Sequence, residues 1–177
     1  MEKLKYPIGT FEAPALIHES QRDMWIAQIA ALPQQLRETI QPLNREELDT
    51  PYRPGGWTVK QVVHHLADSH CNAYIRFHLA LTEENPVIKP YKEAVWASLP
   101  YLQSLDPEIS LRLLSAVHER WSALLRAINE DDFKKTYTHP EYQRVYTLAI
   151  ATGSYAWHGL HHLAHIQQLV LRNFDRD

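Results

Sequence analysis

VVHHLADSHCNAYIRFH (residues 62–78) and WHGLHHLAHIQQ (157–168) hold eight of the chain's eleven histidines, and both stretches read as helix. Side chains four apart on a helix stand one above the other. His158 with His162, or His161 with His165, can therefore grip one metal ion from a single helix face. One imidazole from the other helix then completes a three-histidine site. Neutral imidazole is the commonest protein ligand for zinc and its neighbours, and three protein ligands leave one position open for water or substrate. The pattern points to chemistry on a metal.

Rotation of about 100° per residue separates the candidates. With His158 at zero, His162 lies near +40°, His165 near −20° and His161 near −60°, all as approximate azimuths on an ideal helix. Ala151, Tyr155, Ile166 and Leu169 fall on the His162 side, whereas Ser154, Gln168 and Arg172 fall on the other. His158 and His162 thus border the apolar face. On the first stretch Val62, Leu66, Ala73 and Phe77 cluster to one side of His65, while His64 falls opposite, beside Asp68 and Cys71. His65, His158 and His162 are the preferred ligands.

Outward from these stretches the chain divides into four long helical segments. The first runs from about Glu19 to Ile40, and Pro33 should bend or break it. Thr58 followed by Gln61 is a capping-box signature for a helix continuing to about Glu84. A connection with a short helix near Tyr91 to Leu99 follows, after which Asp106 and Pro107 supply an N-cap and a first-turn proline for a helix to about Ile128. Tyr137 to Tyr146 reads as a loop or short hairpin, and the last helix runs from about Thr147 to Phe174. No internal repeat appears, and no alternating pattern is long enough to build a sheet. The reading is all-α: an up-down four-helix bundle forming a single domain, residues 1–177, of the kind that assembles metal sites between facing helices.

Composition narrows the function. A net charge of −3 over 177 residues offers no basic surplus for phosphate, so nucleic acid is excluded as a partner. The N-terminal MEKLKYPIGTFEAP lacks the apolar run of a signal peptide and no stretch approaches a membrane span, which predicts a cytoplasmic protein with no membrane partner. Cys71 is the single cysteine and suits a reducing compartment as a small half-buried residue.

The blocks YPIGTFE, LDTPYRPGGWTVKQVVHHLADSHCNAYIRFHLALTEENPVIKPY, RWSALLRAI and YAWHGLHHLAHI lie in order along almost the whole chain. Through them the sequence resembles the DinB/YfiT-like superfamily, and within it the YfiT group of candidate metal-dependent hydrolases. The resemblance implies a four-helix bundle whose metal is held by three histidines, matched here by His65, His158 and His162. It also implies a homodimer and one divalent ion per subunit, zinc first and nickel second. Close relatives resemble thiol transferases that join bacillithiol to an electrophile. Hydrolysis by activated water is thus the leading expectation, transfer of a low-molecular-weight thiol its rival, and a metal or ligand-binding module without catalysis the third reading.

Other residues near the ligands carry weaker expectations. Ser69, Asn72 and Arg76 share roughly the azimuth of His65 and form a polar stripe. Asn72 and Arg76 are candidates for substrate binding, Arg76 through its planar fork or else through a salt bridge to an acid of the bundle. Asp68 lies four residues after His64 and is expected to pair with it or to orient a ligand. Trp57 and Tyr155 read as core or pocket wall. Glu119 sits beside His118, yet no HExxH pattern accompanies it, and no dedicated base stands out.

Overall fold

The computed structural model describes residues 2–174. Among them the order is α1 (Glu2–Lys5), α2 (Glu19–Ile40), α3 (Arg45–Leu48), α4 (Val59–Thr82), α5 (Glu93–Trp96), α6 (Tyr101–Ser104), α7 (Pro107–Ala127), α8 (Glu130–Lys134), β1 (Thr136–His139), β2 (Arg144–Thr147) and α9 (Leu148–Asn173). The four long helices, α2, α4, α7 and α9, form the bundle.

Local chemistry sets where these helices begin. The Thr58 hydroxyl accepts from the Gln61 backbone N–H at 3.1 Å, while the Gln61 side chain accepts from the Thr58 N–H at 3.0 Å, closing the reciprocal cap of α4. Asp106 accepts from the Glu108 N–H ahead of Pro107 at the start of α7, and the Thr147 hydroxyl accepts from the Ile150 N–H at the start of α9. Each cap answers a backbone donor that the first helical turn leaves without an internal partner.

Two apolar clusters fill the bundle. One gathers Leu32, Leu36, Val62, Leu66, Leu114 and Ile166; the other gathers Trp25, Ile29, Phe77, Trp121 and Leu125. Between them in sequence on α4, α7 and α9 stand His70, His118 and His158, with His65 one turn before His70 among the α4 residues of the first cluster. A layer of imidazoles thus crosses the bundle with hydrocarbon on either side.

The helix order around the bundle differs from that of a sequential up-down bundle. α2 packs against α7 and α9, and α4 packs against the same two, which puts the successive helices α2 and α4 on a diagonal. Long connections over residues 41–58, 83–106 and 128–147 permit this, since the chain need not turn directly into its nearest neighbour. α2 also continues through Pro33 without a break. The packing of Leu32, Pro33 and Leu36 in the core outweighs the backbone bond that proline forfeits. The connection near Tyr91 to Leu99 holds the single turn α5 and then α6, and α1 was not anticipated.

The segment around Tyr137 to Tyr146 is a two-stranded antiparallel ribbon, with Tyr137 opposite Tyr146 and His139 opposite Arg144. The ribbon is tied to the connection after α4 by a bridge between Val87 and Thr138. Four residues per strand are too few for alternation to register in the sequence, yet the stacked Tyr137 and Tyr146 rings, 5.6 Å apart, hold the pair together.

Candidate metal centre

α4 and α9 face each other where His65 meets His158 and His162. One ring nitrogen from each of the three lies within 4.8 Å of the other two. His65 Nε2 and His158 Nε2 are 3.3 Å apart. A tetrahedral ion with metal–nitrogen distances of about 2.0–2.1 Å separates its ligands by about 3.3 Å, so this pair already spans one edge of such a site. His162 adds a buried Nδ1 with no partner among the described residues. Trp57 closes one side, its ring 4.6 Å from His65 and nearly parallel to His162 at 6.2 Å.

Burial sets the charge of this cluster. Desolvation pushes the His65 imidazole down to about 4, and burial with neighbouring imidazoles holds His158 and His162 well below the ordinary value. All three are neutral at pH 7, the form that donates a lone pair to a cation. Donor type, spacing and charge together fit a divalent ion.

Behind His158 runs a chain of hydrogen bonds whose direction is fixed at its far end. The carbonyl oxygen of Ile29 can only accept, so His118 Nδ1, which contacts it, carries a proton and donates. His118 Nε2 then accepts from His70 Nδ1 at 2.7 Å, and His70 Nε2 accepts from His158 Nδ1 at 3.1 Å. His158 is left with its Nε2 lone pair turned toward His65. His70 and His118 are essentially without solvent contact, and the chain fixes tautomer and ring orientation together. The Ile29 carbonyl is available because Pro33, four residues on, has no N–H to claim it.

The three histidines stand between two cavities. One, of about 180 Å³, is reached by His158 and lined by Arg76, Tyr137, His139 and Tyr155. The second, of about 250 Å³, is reached by His65 and His162 and lined by Tyr52, Arg53, His161 and His165. Glu93 borders both. Its Oε2 lies 3.9 Å from His65 Nε2, and its side chain is 54% exposed, which makes it a rim carboxylate able to reach inward. Partial burial raises its pKa and the Arg76 charge opposes that rise.

The remaining histidines have other partners. His64 does not lie on a polar face beside Asp68 and Cys71; it is fully buried and its Nδ1 meets the Ser110 hydroxyl of α7 at 2.7 Å. α7 packs on that side of α4, which the sequence of α4 alone does not reveal. Asp68 therefore does not pair with His64. His165 stacks on Tyr52 at 4.0 Å and its Nε2 donates to the Lys5 carbonyl, while His161 stacks on Trp157 at 4.7 Å. The Asn72 amide turns onto the Asp68 carbonyl at 2.9 Å, outside the wall of either cavity. Arg76 and Ser69 do line the first cavity, and Arg76 donates to the Tyr155 hydroxyl at 2.8 Å. Burial and Asp68 push the Cys71 thiol upward, away from the thiolate form.

Three contributors escaped sequence reading. Glu93 lies on a single turn within a long connection, where no periodicity marks it. His118 and His70 did carry a signal: Leu114 and Trp121 flank His118 at helical spacing, and His70 falls beside Ala73 and Phe77, so both rings sit on buried faces.

Comparison with known proteins follows the same lines. The family model described as the DinB superfamily matches residues 28–166. A candidate metal-dependent hydrolase of Bacillus cereus (strain B4264) is 53% identical over 169 residues, covering 96% of each chain. The candidate metal-dependent hydrolase YfiT of Bacillus subtilis (strain 168) is 48% identical over 169 residues, covering 96% of this chain and 95% of its own. The solved structure of Bacillus subtilis YfiT, described as a four-helix bundle of unusual topology, superposes with a TM-score of 0.94 over 96% of this chain and 97% of that one, at 48% identity. A mycothiol-dependent maleylpyruvate isomerase shares the fold at a TM-score of 0.60 and 16% identity, over 79% of this chain and 60% of its own.

Proposed function

The chain belongs to the DinB superfamily, and from that premise we propose that it is a metal-dependent hydrolase of small molecules whose ion is held by His65, His158 and His162. The observation that carries this reading is the convergence of three uncharged imidazoles, two buried and one half-buried, between two cavities, with a carboxylate 3.9 Å from one of them. When bound there, a divalent ion supplies Lewis-acid activation of water near neutral pH. Three neutral ligands leave its charge uncompensated, which favours an anionic nucleophile. Zinc suits the nitrogen set and its tetrahedral spacing, with nickel the second choice, one ion per subunit.

The chain's own residues do the rest. His70 and His118 hold the His158 proton on Nδ1, so that Nε2 stays a donor to the ion. Glu93 accepts the proton of the attacking water and returns it to the leaving group from its position at the rim. Trp57 walls one side of the ligand cluster. A homodimer, as the family resemblance implies, and a cytoplasmic location complete the proposal. The lone half-buried Cys71 is compatible with that location, and among the described residues no helix is long and apolar enough to cross a membrane.

Initial rates of the zinc-loaded protein on an activated ester, measured across concentrations of a low-molecular-weight thiol, test the proposal. Hydrolysis needs no thiol, rises with pH near neutrality, is inhibited by excess thiol, and falls about 10²- to 10⁴-fold in Glu93→Gln with zinc content unchanged. A rate that saturates with thiol, with its sulfur in the product, would overturn hydrolysis in favour of bacillithiol-type transfer. Absence of turnover with either nucleophile would make the protein a binding module.

A further inference from the structure

Arg76 is a cation almost out of water to which no carboxylate answers. It is 9% exposed, its Nη1 donates to the neutral Tyr155 hydroxyl at 2.8 Å, and among the described residues no acid pairs with it. The salt bridge to an acid of the bundle that the sequence allows is therefore not the arrangement found. A guanidinium has five N–H donors and no acceptor, and an unpaired buried charge is among the most unfavourable features a protein can retain. Glu93 shares the cavity and feels the guanidinium charge, yet remains beyond pairing distance. The space around these residues is the 180 Å³ cavity itself.

Two buried nitrogens along this wall lack partners among the described residues. His139 is 7% exposed, stacks on Tyr142 at 4.3 Å, and has a buried Nδ1 with no partner among the described residues. Trp157 lines the same cavity, and its buried indole N–H is likewise without one. Glu93 and Glu141 also border the cavity, but both are exposed at its rim, so the one fixed charge in the buried part of the wall is that of Arg76, since burial and Arg76 hold the His139 imidazole toward its neutral form against the pull of Glu141. One charge matches a monoanion, and the planar fork of arginine matches a planar oxyanion.

We propose that this wall is a carboxylate subsite, in which the Arg76 guanidinium, with His139 and Trp157 beside it, holds the carboxylate of a small monoanionic substrate with an apolar or aromatic body. Tyr155, which anchors the guanidinium, precedes His158 by three residues, about 4.5 Å along the helix axis. The bond to be broken therefore lies toward His158, whose ring is 6.3 Å from that of Tyr155 and which lines the same cavity. That last statement rests on the hydrolase reading; the subsite itself does not.

Calorimetric titration of the zinc-loaded protein with benzoate, benzamide and inorganic phosphate tests the subsite. Benzoate has no bond to hydrolyse, so its binding is independent of whether the protein is a hydrolase. It should bind at least tenfold tighter than its neutral amide and tighter than phosphate. Arg76→Lys should weaken benzoate at least tenfold, with benzamide binding and zinc content unchanged, because lysine keeps the charge but loses the fork. Equal affinity for benzoate and benzamide, or preference for phosphate, would overturn the proposal. Benzoate binding that Arg76→Lys leaves intact would place the carboxylate on the zinc and overturn it equally. If Arg76→Lys does not fold, the Arg76 Nε–H resonance of the unsubstituted protein must shift on addition of benzoate and stay fixed on addition of benzamide.

Discussion

Replacing His118 by phenylalanine removes the central link between the Ile29 carbonyl and His70 while keeping a ring of similar size in the core. Two buried groups lose their partners: the Ile29 oxygen, and His70 Nδ1, whose proton has no other acceptor. At about 1–3 kcal/mol for each orphaned group, the loss is about 2–6 kcal/mol at neutral pH. Acid acts differently on the two proteins. Burial depresses the His118 pKa to about 4, against an ordinary value near 6.5, so the unfolded chain binds one more proton between those limits. Stability from this group is fully present above pH 6.5 and is lost as pH falls toward 4; the 2.5-unit difference corresponds to about 3 kcal/mol. Urea unfolding of the metal-free proteins across pH 4–7 should show His118→Phe less stable at pH 7 and shallower in its pH dependence by about one proton. A zinc competition titration should show affinity reduced about 10- to 100-fold, the usual effect of removing a group that orients a ligand. Wild-type zinc affinity together with parallel pH profiles would refute the directional chain.

Elemental analysis of alanine variants checks the ligand set: His65→Ala, His158→Ala and His162→Ala each lose most of the bound metal, while His64→Ala, His161→Ala and His165→Ala retain it. Gly153→Ala in α9 would put a Cβ 2.8–2.9 Å from the indole carbons of Trp25, a rigid buried ring. The expected penalty is about 1–3 kcal/mol by chemical denaturation, and an unchanged midpoint would mean that α2 and α9 can separate without loss.

Periodicity and caps carried most of the fold into view. The sequence Thr58-x-x-Gln61 and the pair Asp106-Pro107 mark helix starts within a residue or two, because the capping chemistry is local. The order of helices around the bundle is not local, and long connections leave it open. The same division holds at the site. Azimuth brought His65, His158 and His162 to the apolar border, since ligands and core share one helix face. Glu93 lies on a one-turn helix packed on α4, and no pattern within EAVW announces that it borders both cavities. His64 was misplaced because its face of α4 is buried by α7, a contact between segments more than forty residues apart.

A proline inside a helix is ordinarily counted as damage to be tolerated. Here it gives α2, which supplies no ligand, a say in the metal site: one missing backbone hydrogen at position 33 leaves an acceptor at position 29, and that acceptor orders every imidazole proton as far as His158. Because the chain ends on a group that cannot donate, the row of rings has a polarity and cannot run backwards while all its members are neutral. Position 33 touches neither substrate nor ion, yet substitution there would reinstate a competing donor. An exchange that looks harmless by helix propensity would then be felt at the far side of the bundle.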